Sequence, residues 1–107
     1  MVKNIRLGLS KNMRRPRGTA FNFALGATAL QIVDEDFSRR SMAITNIGAI
    51  DATISCDLST IASGSGIILV PKQTIFMDSV VDMFCVIPWY GIAGAACNVR
   101  VEMVRRQ

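Results

Sequence analysis

The residues with the most chemical potential in this sequence are two acidic groups, Asp34-Glu35-Asp36 and the pair Asp78 and Asp82. Carboxylates so close together could bind calcium or act as a paired acid and base. Neither group has the regularly spaced ligands and central glycine of a calcium-binding loop, and the chain contains no histidine to act as a base or zinc ligand. The sequence therefore predicts that the protein is not an enzyme and uses no metal or cofactor, with the first group forming a solvated turn.

Cysteine chemistry is the next candidate. Cys56, Cys85 and Cys97 are three in number, include no C-x-x-C pair, and each stands in an apolar stretch. A reduced cysteine in such surroundings acts as a small hydrophobic residue. We therefore expect reduced thiols and synthesis in a reducing compartment, with a disulfide or a reactive thiol as the alternative.

Charge is distributed very unevenly along the chain. Residues 1–17 contain six basic and no acidic residues, whereas residues 18–107 contain six basic and eight acidic residues. Pro16 lacks a backbone donor and disfavours a helix at Arg15. These features predict an extended basic arm over 1–18 and a β-sandwich domain over 19–107. The basic residues of the arm are Lys3, Arg6, Lys11, Arg14, Arg15 and Arg17.

The arm could bind the phosphates of a nucleic acid, bind an acidic protein surface, or remain a solvated tail. Nucleic acid is the weaker of the two partners, because the rest of the chain is net acidic and its strands lack interleaved Lys and Arg. The arm is therefore interpreted as an anchor whose partner stays open, with a solvated tail as the alternative.

The apolar residues after position 18 recur with a period of two, which is typical of strands. The last strand alternates most clearly, with Val99 and Val101 on one face and Arg100 on the other. About eight short strands separated by turn residues predict an all-β fold, an antiparallel β-sandwich or jelly-roll-like domain. A short helix competes with a strand over 74–83. The predicted strands are 19–25, 27–33, 41–47, 51–57, 67–70, 74–77, 83–87 and 97–103.

Half of the residues are hydrophobic and only 19% are charged. A small domain buries only about 60–70% of the surface of its unfolded chain, so some apolar surface should remain for a partner. The longest uncharged stretch is 83–99, with 17 residues, and it is interrupted by Pro88, whereas a membrane-spanning helix needs about 20 apolar residues. We expect a soluble protein with no membrane partner.

The segment after Pro88 is a candidate contact region. Trp89 and Tyr90 are followed by small residues and Ile92, and large aromatic rings in a loop often anchor an interface. This pattern predicts that Trp89, Tyr90 and Ile92 form a subunit interface. The alternative is that Trp89 covers the core of its own domain.

Three segments carry a resemblance to known proteins. Segment 37–48 places Arg39 and Arg40 before a strand that ends in Asn46, segment 49–56 is a second short strand, and segment 66–72 is a glycine, a strand and a proline. Together they resemble small accessory structural proteins of tailed bacteriophages: head decoration (cement) proteins, head fibres and bases of receptor-binding proteins. Such modules have glycine after the proline, where this chain has lysine.

The resemblance implies a β-sandwich or jelly-roll module on the surface of a virion, present as a symmetric homo-oligomer and often as a trimer. Its partner would be the major capsid protein or another virion protein, with the arm bound to an acidic shell surface. The sequence therefore predicts a capsid decoration protein. A tail or fibre-base component and a nucleic-acid-binding protein are the alternatives.

Overall fold

The computed structural model describes residues 17–59, 61–62, 64–78 and 83–105. The predicted arm before residue 17 lies outside these residues and stays a prediction. Eight strands and one short 3₁₀ helix, Met83–Cys85, make up the described fold. The strands are β1 (Arg17–Leu25), β2 (Leu30–Val33), β3 (Arg39–Asn46), β4 (Ala52–Ser55), β5 (Ile67–Leu69), β6 (Thr74–Asp78), β7 (Trp89–Ala93) and β8 (Cys97–Arg105).

The strands form two four-stranded antiparallel sheets, with the orders β1-β8-β3-β6 and β2-β7-β4-β5. The pairs β1–β8, β2–β7, β3–β6 and β4–β5 are nested, so the chain doubles back on itself like one long hairpin wrapped into two sheets. This is the arrangement of an eight-stranded jelly roll. The predicted all-β sandwich is confirmed.

The core lies between the two sheets and follows the alternation of the strands. On β8 the buried side chains are Cys97, Val99, Val101 and Met103, and each intervening residue points to the outer face. β3 continues this layer, because Ile44 stands opposite Val101 in the strand register. Burying one face of each sheet is the main source of stability for such a fold.

Residues 83–87 do not form the predicted strand. Their carbonyl groups accept hydrogen bonds from other segments: Trp89 Nε1 donates to Phe84 at 2.8 Å, and the Asp36 amide donates to Val86 at 2.9 Å. Carbonyls used in this way are not available to a strand ladder. The segment contains the 3₁₀ helix instead, and the chain enters β7 only at Trp89.

Strand β7 was missed because Gly91 stands in its middle, and glycine is depleted in strands. Its role lies in packing. A Cβ atom built at Gly91 would come within 2.9 Å of two Leu25 side-chain carbons. Leu25 is buried at the end of β1, so a larger residue at position 91 would displace it from the core.

The turn between β5 and β6 is formed although lysine occupies the glycine position. The Gln73 amide donates to the Val70 carbonyl at 3.0 Å, and the Lys72 amide donates to the Asn46 carbonyl at 2.7 Å. Lys72 has a φ of 72°, in the left-handed region that favours glycine. With Pro71 before it, this is the pattern of a type II turn.

We expect Lys72→Gly to raise the free energy of unfolding by about 0.5–1 kcal/mol. The substitution relieves left-handed backbone strain that costs about 1–2 kcal/mol. Part of this gain is lost because glycine has more conformational freedom in the unfolded chain. Urea unfolding of both proteins measures the change. Lys72→Ala is the control, since it removes the same side chain but keeps Cβ. Equal stability of the glycine and alanine variants would contradict this explanation.

Candidate functional site

The predicted interface residues lie in β7, in the middle of the second sheet, and not in a loop. Trp89 and Ile92 are only 4% and 8% exposed, and Trp89 belongs to the hydrophobic core. The alternative for Trp89, covering the core of its own domain, is therefore the observed arrangement. Tyr90 is half-buried and keeps some surface for a partner. A subunit interface at these residues stays a prediction.

Of the six predicted arm residues, only Arg17 lies within the described part of the chain. Lys3, Arg6, Lys11, Arg14 and Arg15 lie outside it. Arg17 is the first residue of β1 and stands opposite Arg105 in the register. Arg17 therefore belongs to the sheet, and β1 includes two residues that precede the predicted strand 19–25.

The cysteines divide into two kinds. Cys85 and Cys97 are buried, as predicted for small hydrophobic residues, whereas Cys56 is exposed. Cys56 follows the last residue of β4, beyond the buried residues of that strand. The prediction of a buried apolar role is wrong for this residue.

The sandwich is open along two opposite sides, where the sheets end. One side lies between the edge strands β5 and β6, and the other lies between the edge strands β1 and β2. A groove runs along each side, with volumes of about 380 Å³ and 450 Å³ respectively. We call them the β5–β6 groove and the β1–β2 groove.

The β5–β6 groove is apolar. Phe76 on its rim is 70% exposed, and Ile67 and Phe84 are also exposed, while Met77 and Trp89 are buried in the core beneath it. No charged residue belongs to its lining among the described residues. The groove is lined by Ile54, Ser55, Cys56, Gly66, Ile67, Ile75, Phe76, Met77, Phe84 and Trp89.

The β1–β2 groove combines aromatic rings with acidic groups. Phe21 is 48% exposed, its ring centre lies 6.4 Å from that of Phe23, and Asp34-Glu35-Asp36 follows at the end of β2. The two open sides therefore differ in chemistry: one is mainly apolar, and the other is aromatic with an acidic border.

The acidic run is a structured turn rather than a binding loop. Ser38 donates to Asp36 Oδ1 from its hydroxyl at 2.6 Å and from its amide at 2.9 Å. Arg105 pairs with the second carboxylate oxygen of Asp36. The hydrogen bond from the Ser38 hydroxyl is the main reason that the pKa of Asp36 lies below its ordinary value, with the Ser38 amide and Arg105 adding to it against the effect of burial.

Arg39 is the most deeply buried charged side chain of the described residues, at 1% exposure. Its Nε donates to the Cys85 carbonyl at 2.6 Å, and its Nη2 donates to the carbonyls of Asp34 at 2.9 Å and Ile87 at 3.3 Å. Burial lowers the pKa of Arg39. The guanidinium joins the turn after β2 to the segment before β7, so its function is structural.

Asn46 closes the other end of β3 in the same way. Its Nδ2 donates to the carbonyls of Ile50 and Leu69, each at 2.8 Å, and its Oδ1 accepts from the Gly48 amide at 2.8 Å. Cys97 Sγ also lies 3.3 Å from this oxygen. Asn46 alternates with the buried residues Met42 and Ile44 of β3, so the sequence pattern could have predicted that Asn46 is buried. Arg39 is out of phase because the register shifts between residues 39 and 41.

Within the described residues, there is no group of three or more Cys, Asp or Glu side chains placed to hold a metal ion. Among the same residues, no helix is long and apolar enough to cross a membrane.

Comparison with solved structures gives a likeness that extends over nearly the whole chain. A chain from a Bacillus endospore appendage, described as a novel family of disulfide-linked pili, aligns with a TM-score of 0.50 and 11% sequence identity. The alignment covers 91% of this chain and 93% of that chain. The likeness shows a shared fold. No protein family matches the sequence, and no curated protein matches it.

Proposed function

We propose that this chain is a non-enzymatic structural subunit of a large assembly, and specifically a capsid decoration or cement protein of a tailed bacteriophage. The observation that carries the proposal is the amount of apolar surface on a domain that is otherwise well packed. Large exposed hydrophobic patches mark interaction sites in soluble proteins. The exposed residues are Phe21, Leu30, Phe37, Ile47, Ile50, Leu58, Ile67, Ile68, Val70, Phe76 and Phe84.

The fold is compatible with this function. Eight-stranded jelly rolls occur in viral capsid proteins, although they occur in lectins as well, and a fold alone does not determine function. The resemblance of segments 37–48 and 66–72 to tailed-phage structural proteins supports a location in the virion. Capsid lattices would make the chain a homo-oligomer, and the resemblance implies a trimer.

The basic arm supplies the contact with the shell. We place Lys3, Arg6, Lys11, Arg14 and Arg15 against an acidic surface of the major capsid protein. A second attachment point of this kind raises the effective affinity of a subunit that is also held by its neighbours. Such contacts between exposed charges weaken as the salt concentration rises.

The likeness to the endospore appendage supports a second candidate, a subunit of an extracellular filament. Both candidates are structural, and both use contacts between many copies. The number of copies in purified particles separates them. A decoration protein is present in numbers comparable to the shell protein, whereas a tail or fibre-base component is present in a few copies and a filament subunit is absent from virions.

The arm is tested in the same particles by charge reversal. We expect Arg14→Glu with Arg15→Glu to lower the affinity for particles by about tenfold or more, because like charges then face each other across the contact. Arg40→Glu with Arg100→Glu is the control, since it makes the same change of net charge on the domain, at one exposed and one partly buried position. Equal losses from both variants, or absence of the protein from particles, would overturn the proposal.

A further inference from the structure

Strand β6 presents an edge on which another strand could form. β6 pairs with β3 on one side, and it is the last strand of its sheet among the described residues. Ile75 and Met77 point inward, and Phe76 points outward. Edge strands with exposed apolar neighbours are ready sites for the addition of an extended peptide.

The N-terminal segment has the pattern of such a peptide. Ile5, Leu7 and Leu9 alternate with Arg6 and Gly8. In an extended chain the three aliphatic side chains would share one face, and the other face would be polar or small. The five residues from 5 to 9 equal the five residues of β6 in length. An apolar groove with no charged lining fits that aliphatic face.

The position of β1 indicates which copy supplies the segment. β1 and β6 are the opposite edges of one sheet, about 14 Å apart across three strand spacings. β1 begins at the end of the sheet where β6 ends, because Arg17 stands opposite Arg105 and Ser41 stands opposite Asp78 in the strand registers. An arm that returned to its own β6 by the shortest path would therefore lie parallel to that strand. An arm from another copy can pair antiparallel, as the described strands of both sheets do, and antiparallel pairing is slightly more stable. Residues 10–16 span up to about 25 Å when extended, enough to reach an adjacent molecule.

We propose that residues 5–9 of one copy add as a strand to the outer edge of β6 in a second copy and place Ile5, Leu7 and Leu9 in its β5–β6 groove. This proposal deepens the proposed function and rests on it, because it names the joint between subunits. The donor and acceptor surfaces differ, so the contact is head-to-tail and builds a ring or a filament. Arg6 faces away from the groove in this arrangement, so it and the cations outside residues 5–9 can still bind a shell.

Cys56 provides the test, because it lines the β5–β6 groove and is exposed, whereas the other two cysteines are buried. Single cysteines are placed at positions 4 to 9 in full-length chains that also carry Cys56→Ser. Each is mixed with a mass-tagged full-length chain that keeps Cys56, and the mixture is oxidised mildly. Any disulfide between the two chains then joins an arm to the groove of another copy.

We expect the yield of this disulfide to alternate along the arm. The highest yields should come from cysteines at odd positions, which are Ile5→Cys, Leu7→Cys and Leu9→Cys. These yields should be ~5-fold or more above those of Asn4→Cys, Arg6→Cys and Gly8→Cys. The reason is that only one face of the added strand approaches Cys56 closely enough for a disulfide. The even positions are the matched controls. Equal yields at odd and even positions, or no disulfide at any position, would overturn the proposal.

A second measurement identifies an arm that occupies its own groove. Leu7→Cys in a chain that keeps Cys56 would then form an intramolecular disulfide and remain a monomer on a non-reducing gel, which would overturn the assignment to a second copy. The results also distinguish a failure of this proposal from a failure of the proposed function. Multimers of the unmodified protein without alternating disulfides would overturn the groove assignment alone, whereas a protein that stays monomeric would overturn both.

Discussion

Arg39→Met is expected to lower the free energy of unfolding by about 3–5 kcal/mol, the cost of leaving three buried or partly buried carbonyls without their charged donor. The variant keeps an aliphatic chain in the same space but leaves the carbonyls of Asp34, Cys85 and Ile87 without the donors that they have now. Domains of this kind are stable by only about 5–15 kcal/mol. The variant should therefore lose a large fraction of its stability, and urea unfolding of both proteins measures the difference.

Arg40→Met is the matched control for this change. Arg40 is the next residue in β3, is exposed, and loses the same charge on substitution. Surface substitutions of this kind usually change stability by less than about 0.5 kcal/mol. A loss of less than 1 kcal/mol for Arg39→Met, or similar losses for the two variants, would show that the guanidinium does not hold the two segments together.

Asn46→Ala is expected to cost about 2–4 kcal/mol. The side chain is fully buried, and its removal leaves the carbonyls of Ile50 and Leu69 and the amide of Gly48 without their side-chain partners. Each buried polar group left unsatisfied costs about 1–3 kcal/mol, and relaxation recovers part of the total. The loss should appear as a lower urea midpoint with an unchanged slope.

Asn98→Ala provides the comparison for Asn46, because Asn98 is the same residue type on the neighbouring strand β8 but is exposed. We expect it to change stability by no more than about 0.5 kcal/mol. Asn46→Asp is a further variant that keeps an oxygen acceptor and loses both N–H donors. If Asn46→Asp were as stable as the unmodified protein at neutral pH, the two donated hydrogen bonds would not be the source of the stabilisation by Asn46.

The parts of the fold that the sequence predicted correctly are those in which local pattern and tertiary packing agree. β8 alternates between buried and exposed residues without a break, and the structure places Val99 and Val101 in the core as that alternation requires. A single face of β8 is buried, so the period of two is visible in its sequence. β6 was predicted as a strand from its flanking context, because Ile75, Phe76 and Met77 are all apolar and show no alternation.

The errors arise where a distant contact overrides the local pattern. Gly91 indicates a loop by its type, but it is required in a strand because Leu25 packs against it. Residues 83–87 have a strand-like composition, but Trp89 and Arg39 use the carbonyls of Phe84 and Cys85. No property of either segment alone identifies these partners.

The candidate site was harder to predict than the fold. The β5–β6 groove forms where two edge strands from different sheets come together, and strand order is not encoded in local periodicity. The sequence drew attention to Trp89 as an exposed anchor, whereas the structure buries it beneath the groove that Phe76 and Ile67 border. The composition correctly indicated that apolar surface would remain exposed, but not where it would lie.

We propose above all that this chain functions by assembling with other subunits. The mass of the full-length protein in solution, measured by native mass spectrometry at low salt and again at high salt, tests this claim most directly. We predict multiples of 11.7 kDa that persist at high salt, because the contact between copies is apolar. A protein that remains a monomer at every concentration and salt condition would contradict the account.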